Sequence, residues 1–518
     1  MSKTTSGGLL PMEISRRTLL RSAVAAGTAI GLGSTLAACS SSKPKGGSTN
    51  LLFLEPGDQP ARWNDVHAAV NKKLKKDTGL TFDVQWIGWT NYAQSELLKY
   101  TSGAKFAGSL EADWLHINKL SQDKAIAALD DELTAAKYPN LMKGLDPLTV
   151  KTAKIGGKLF GVPQVNNATV VLAFTLRSDL ASGPVETYDE FEKYLYDVKQ
   201  RHSSMIPYGI DNGYVNDTQD MFDPVTWNSR TDYMSVRISS GYPLLFISND
   251  DAVAGNARVV PVWEVPQTVD TFRRIRKYYN DGIINHDALS VDNATAVSLF
   301  GAGKYAAEVG STNGLQTSTY GAVTTKVKGA QIELCVPFAP GAPKPYSEFG
   351  AGNQMSFSVR GGQMVDGLRF EDWLSIKENH DLLEYGIEGT DWKASGEDEY
   401  EAMGKYSFPG YTMCWRVPLE RTPTNMIESE RKWYGWSQKF ESFELSPLAG
   451  YVTDATPIKT EVAQIDANNT RYLKPLQAGA VDTDKGLNAA KKGFSSAGLD
   501  KVITEVEKQL TAYFKTRG

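Results

Sequence analysis

The sequence predicts an α/β protein of two lobes, each a mostly parallel sheet flanked by helices. Three observations carry that expectation. The chain has 518 residues, too many for one hydrophobic core to serve. Short apolar runs alternate with stretches whose apolar residues recur every three or four positions. Gly, Pro and Asp-Gly punctuation separates the two kinds of segment.

Leu51, Leu52, Phe53 and Leu54 make an apolar run ended by Glu55-Pro56-Gly57-Asp58, a buried strand followed by its loop. Asn64 is placed to cap a helix whose Val66, Val70 and Leu74 share one face, and Gly79 stops it. Alternation over residues 81–87 gives a second strand, a loop carrying Trp89 follows, and a helix is expected over residues 92–100. A third strand is expected over residues 113–117. This β-loop-α repetition builds a parallel sheet with helices on both faces. Ligands bind beyond the carboxyl ends of such strands, which directs attention to the loops after Leu54, Ile87 and Ile117.

The pattern continues with Lys158-Leu159-Phe160-Gly161-Val162-Pro163 and a strand over residues 169–176. Thr187 with Glu190 three positions on forms a capping box that opens a helix. Val269, Phe272, Ile275 and Tyr279 line one face of another, closed by Asp281-Gly282. Val502, Val506 and Leu510 do the same in a last helix over residues 499–514.

The amino terminus carries different information. Arg16-Arg17 precede a modestly apolar stretch over residues 23–36, too short and too weakly apolar to span a bilayer, so residues 1–38 are expected to be a twin-arginine export signal. Leu36-Ala37-Ala38-Cys39 looks like the lipobox of bacterial lipoproteins, which makes Cys39 the expected lipidation site and membrane anchor. Residues 40–49 are polar and suit a flexible tether. A formal charge of -5 offers no basic patch and argues against nucleic acid as a partner. Cys335 and Cys414 could pair or stay free, since sequence separation says nothing of their spacing in the fold.

Several segments together resemble the family of solute-binding lipoproteins that serve carbohydrate ABC importers, in its large oligosaccharide-binding group distantly similar to maltose-binding protein. They are Lys158 to Pro163, quoted above, Lys277-Tyr278-Tyr279-Asn280-Asp281-Gly282, Phe300-Gly301-Ala302-Gly303-Lys304-Tyr305, Tyr385-Gly386-Ile387-Glu388-Gly389-Thr390 and Ala497-Gly498-Leu499-Asp500. The resemblance implies a type II binding-protein fold, with residues 50–165 plus 298–355 in one lobe and 168–292 plus 358–518 in the other. Hinge strands would cross near residues 164–168, 292–296 and 353–358. It implies a monomeric, non-enzymatic receptor that closes on a carbohydrate, an oligosaccharide above all, and hands it to a permease. Related large members often carry an acidic calcium loop before the Ile206-Pro207-Tyr208 strand; here Gln200-Arg201-His202 replaces hard oxygen ligands, and no calcium is expected there.

A sugar site needs aromatic planes for stacking and planar polar groups for hydroxyls, and the chain supplies 11 Trp and 23 Tyr. Loop position selects Trp63, Trp89 and Asn118 on one wall, Asn166 and Asn167 at the crossover, and Asn212, Trp227 and Trp263 on the other wall. The small-residue loop Gly310-Ser311-Thr312-Asn313 resembles the family's cleft lining and adds Thr312 and Asn313. Glu388, Trp392, Tyr411 and Trp415 are expected on that far wall too. No metal motif, nucleophile elbow or phosphate-binding glycine loop is present, and the five histidines are scattered. No cofactor, resident metal or catalytic residue is expected. The alternatives are a surface glycoside hydrolase or lyase, which needs a carboxylate pair at fixed separation, and a receptor for a non-sugar solute on the same fold.

Overall fold

Thr49–Pro56 buries Leu51, Phe53 and Leu54 together with Glu55, as a strand covered on both faces must. It lies inside a five-stranded sheet ordered Leu80–Ile87, Thr49–Pro56, Gly108–Ala112, Asn353–Phe357, Val162–Pro163. The computed structural model that shows this describes residues 49–238, 243–349 and 352–517. The first three of these strands are mutually parallel, whereas Asn353–Phe357 runs antiparallel to both its neighbours. A second sheet of four strands is ordered Ile332–Cys335, Leu172–Arg177, Tyr305–Ser311, Ile206–Tyr208. Only its Tyr305–Ser311 and Ile206–Tyr208 pair is parallel. Each sheet has its own hydrophobic cluster, so the chain is two-lobed, with mixed rather than mostly parallel sheets.

The helices follow the apolar stripes. Val66, Val70 and Leu74 are fully buried beneath Trp63–Thr78, and Val502, Val506 and Leu510 beneath Leu499–Thr516. The capping box at Thr187 is present, its Oγ accepting from Glu190 N while the Glu190 carboxylate accepts from Thr187 N at 2.9 Å. Local starts moved elsewhere. Asn64 is not a cap: the helix begins at Trp63, whose indole is drawn into the core. The next helix begins at Trp89 rather than Tyr92. The third strand is Gly108–Ala112 and not residues 113–117, because Ser109 and Glu111 are buried polar residues that hide its apolar character.

The lobe boundaries also differ from the expected ones. Tyr305–Ser311 and Ile332–Cys335 belong to the second sheet, so within residues 298–355 only the final strand joins the first. Conversely, Phe370, Trp373, Leu383, Phe408 and Met413 pack in the first core rather than the second. The reason is burial: Phe370 lies against Phe53 and Phe82, with ring centroids 5.4 and 4.9 Å away. The chain therefore crosses between lobes over residues 164–171, between Ser347 and Asn353, and between Pro423 and Glu428. Asp292 caps the helix Asn293–Gly301 inside the second lobe, so residues 292–296 are no crossing.

Cys335 and Cys414 are free thiols, each buried in the core of a different lobe. Among the described residues no helix is long and apolar enough to cross a membrane. The signal segment, Cys39 and residues 40–48 of the tether lie outside the described residues.

Candidate functional site

Three parallel strands end at one edge of the first sheet, and large aromatic side chains collect there. Trp89, opening the helix after Leu80–Ile87, stacks on Tyr411 at 6.1 Å and 25°. Trp114, two residues beyond Gly108–Ala112, lies against Trp89 at 6.0 Å. Tyr411 in turn meets Trp415 edge-on at 5.8 Å. Trp89 and Trp114 each leave 45% of their surface open. Neighbouring indoles left open in this way form a shelf for flat apolar ligand faces. Glu55 lies at the same strand edge, fully buried with neither carboxylate oxygen hydrogen-bonded, and burial raises its carboxyl well above the usual range.

Beside the shelf a cavity of about 390 Å³ is lined from both lobes, by Asp113, His116 and Asn118 on one side and Arg237, Ile238 and Thr453 on the other. Through Thr152, Lys154, Gly450 and Tyr451 it runs into a groove of about 1180 Å³. The Arg237 guanidinium donates to the Asp113 carboxylate across the gap. Burial pushes Asp217 up to about 6, with Arg237 opposing the shift. Asn118 Oδ1 is buried without a hydrogen-bond partner.

At the first crossover the Asn166 Nδ2 donates to Asn313 O at 3.0 Å. Asn167 Nδ2 bonds Thr169 O at 3.0 Å and Thr312 O at 3.3 Å. Thr312 Oγ accepts from Val171 N, and Asn313 Oδ1 from Leu315 N and Gln316 Nε2. These polar groups tie the crossing strand to its neighbouring loop, and Asn166 Oδ1 is buried there without a hydrogen-bond partner. Beside them the buried Arg416 donates to Gln164 Oε1 at 2.8 Å and Glu371 Oε2 at 2.5 Å. Burial pushes Glu371 up to about 7 against the pull of that guanidinium.

The structure thus puts Tyr411 and Trp415 on the same side as Trp89 rather than on the far wall, because their loop packs Met413 and Cys414 into the first-lobe core. It gathers Asn166, Asn167, Thr312 and Asn313 at the crossing. Other candidates go elsewhere. Trp63 is core, stacked between His67 at 5.0 Å and Phe408 at 5.8 Å. Trp227 is fully buried with its Nε1 bonded to Met221 O. Trp392 bonds Gly386 O and is covered by Tyr385 and the Arg421 guanidinium. Trp263 packs half-buried on Phe494 at 5.6 Å. Asn212 and Glu388 are exposed, and Glu388 bridges Trp392 through the backbone. A loop tryptophan proves ambiguous because a buried indole needs only one carbonyl to satisfy it. Trp114, Asp113 and Arg237 escaped notice; placing the third strand five residues late put Trp114 inside it.

Comparison with known proteins bears on the fold. Residues 447–515 match the family model described as a domain of unknown function, DUF3502. Over 96% of its length the chain is 22% identical to a carbohydrate ABC transporter substrate-binding protein of Streptococcus pneumoniae serotype 4, covering 98% of that protein. Among solved structures it is similar to the N-glycan transport solute binding protein NgtS from Streptococcus pneumoniae, with TM-score 0.73 and 18% identity, spanning 91% of this chain and 100% of that one. An extracellular solute-binding protein from Bifidobacterium longum subsp. infantis matches with TM-score 0.58 and 15% identity, over 90% of this chain and 99% of that one. The fold is therefore that of the type II solute-binding proteins.

Proposed function

We propose that this chain is the substrate-binding component of a carbohydrate ABC importer, which captures an oligosaccharide between its lobes and presents it to a permease. The observation that carries this reading is the open shelf of Trp89, Trp114 and Tyr411 beside a cavity lined from both lobes. Sugar rings offer flat C–H faces to indoles and hydroxyls to carboxylates, amides and guanidinium groups, and Asp113, Asn118, Glu348 and Arg237 supply those partners. The combined volume of the cavity and groove, about 390 and 1180 Å³, suits a chain of sugars better than one. Structures of the similar NgtS with Man5GlcNAc, and of a sugar transporter protein from Arthrobacter chlorophenolicus with laminaribiose, support the same class of ligand.

Closure follows from differential binding. A ligand touching both walls favours the closed state by the contacts that only closure makes, and Arg237 to Asp113 is one contact already of that kind. The protein acts without turnover, as a monomer. Residues 1–38 direct export through the twin-arginine route, and lipid on Cys39 holds the receptor on the outer face of the membrane, where tethering raises its effective concentration near the permease.

Calorimetry of the mature chain against a glycan panel, with product analysis of the same mixtures, tests this. Tight binding of an oligosaccharide with intact ligand recovered is expected. Cleavage of any glycan, or binding confined to non-sugar solutes, overturns it.

A further inference from the structure

The helix Lys377–Glu384 presents His380 and Glu384 one turn apart, so both side chains leave the same face. The loop after Phe408 brings Cys414 against them. One potential ligand atom from each of the three lies within 4.8 Å of the others. The Cys414 thiol donates to Glu384 Oε2 at 2.6 Å. Gly410 makes room for that carboxylate, since a Cβ there would strike it.

His380 is fully buried. Its Nδ1 faces Asp381 Oδ1 at 3.1 Å, and Asp381 is fixed in turn by Lys377 and by Arg421 Nε at 2.9 Å. Its Nε2 has no hydrogen-bond partner, the Glu420 Oε1 atom lying 3.4 Å away outside bonding geometry. A buried ring nitrogen without a partner is costly. A carboxylate that holds one imidazole nitrogen while the other points at thiol and carboxylate ligands is how proteins orient a metal-binding histidine. Mixed sulfur, nitrogen and oxygen donors in a closed, dry site suit a borderline-soft divalent ion with tetrahedral habit.

We propose that His380, Glu384 and Cys414, with Glu420 as fourth ligand, form a structural Zn²⁺ site in the first lobe. Bond lengths of about 2.0–2.3 Å place tetrahedral ligand atoms roughly 3.3–3.8 Å apart, so donors now up to 4.8 Å apart close in by about 1.0–1.5 Å, while the Cys414 thiol and Glu384 Oε2, now 2.6 Å apart, separate as the proton between them leaves. Cys414 loses its thiol proton and His380 binds as the neutral imidazole, with the displaced protons released to solvent. Because Cys414 lies between Tyr411 and Trp415, the ion fastens the loop that carries the far end of the aromatic shelf.

Cobalt reports the site directly. Titrating Co²⁺ into the metal-stripped mature chain is expected to give one equivalent bound with a thiolate-to-metal charge-transfer band, absent in Cys414→Ser. Zn²⁺ is expected to displace the cobalt and to bind His380→Gln at least tenfold more weakly. Should those variants fold poorly, the unmodified chain decides: Zn²⁺ should slow alkylation of the Cys414 peptide in mild denaturant at least tenfold. Absence of the band with unprotected Cys414, or a band that persists in Cys414→Ser, overturns the proposal.

Discussion

Arg237, the first residue after a strand of the second lobe, donates to the carboxylate of Asp113, the first residue after a strand of the first-lobe sheet. The two side chains are 60% and 40% exposed, and an ion pair so open contributes at most about 1 kcal/mol. Arg237→Ala should therefore weaken oligosaccharide binding by about three- to fivefold at low ionic strength, with less effect in high salt. Calorimetry at two salt concentrations checks this; a salt-independent loss would mean that the guanidinium acts by direct ligand contact instead.

Trp114→Ala and Trp89→Ala remove half-exposed rings, so affinity should fall by about 1–3 kcal/mol each while the melting temperature barely moves. Trp263→Ala should leave affinity unchanged, since that ring packs on Phe494. Equal losses in all three would relocate the ligand.

Trp63→Ala and Trp227→Ala empty the two cores. Each should cost about 3–5 kcal/mol of stability in denaturant unfolding. At temperatures where the variant stays folded, ligand affinity should change little.

Stability in metal-free buffer should rise as pH falls from about 8 to about 5.5. Burial pushes Glu308 up to about 8 and Glu371 up to about 7. A carboxyl that holds its proton in the fold but not in the unfolded chain stabilises at low pH, and that gain is lost as pH climbs through the folded value. Below about pH 4 the trend reverses, because Asp130 and Asp179 are held low by Lys154 and Arg177 against the effect of burial. A higher melting temperature at pH 8 than at pH 5.5 would contradict this account.

The sequence displayed what burial and local capping control. The stripe of Val66, Val70 and Leu74, the Thr187 capping box and the last helix were all legible, because each depends on residues a turn or two apart. Gly108–Ala112 was not, since its Ser109 and Glu111 are buried through partners distant in the chain, such as Ser356 and Gln354, which lie opposite them on the neighbouring strand. The lobe boundaries failed for the same reason: whether Phe370 covers one sheet or the other is decided by contacts three hundred residues away. In the candidate site, strand ends and loop position point to Trp89, whereas Tyr411 and Trp415, expected on the far wall, lie against it instead. Trp63, Trp227 and Trp392 obey the same rule and are core, because composition cannot distinguish an indole satisfied by one carbonyl from an indole left open.

The repeated crossing of the chain between lobes orders its biosynthesis. The first lobe lacks a central strand until Asn353–Phe357 has been made, and a covering helix until Glu384. The second is incomplete until Leu499–Thr516, at the very end, packs Val502 and Val506 into its core. Neither lobe can complete its core before segments far apart in the chain have both been made, so the two lobes reach the native state together rather than one after the other.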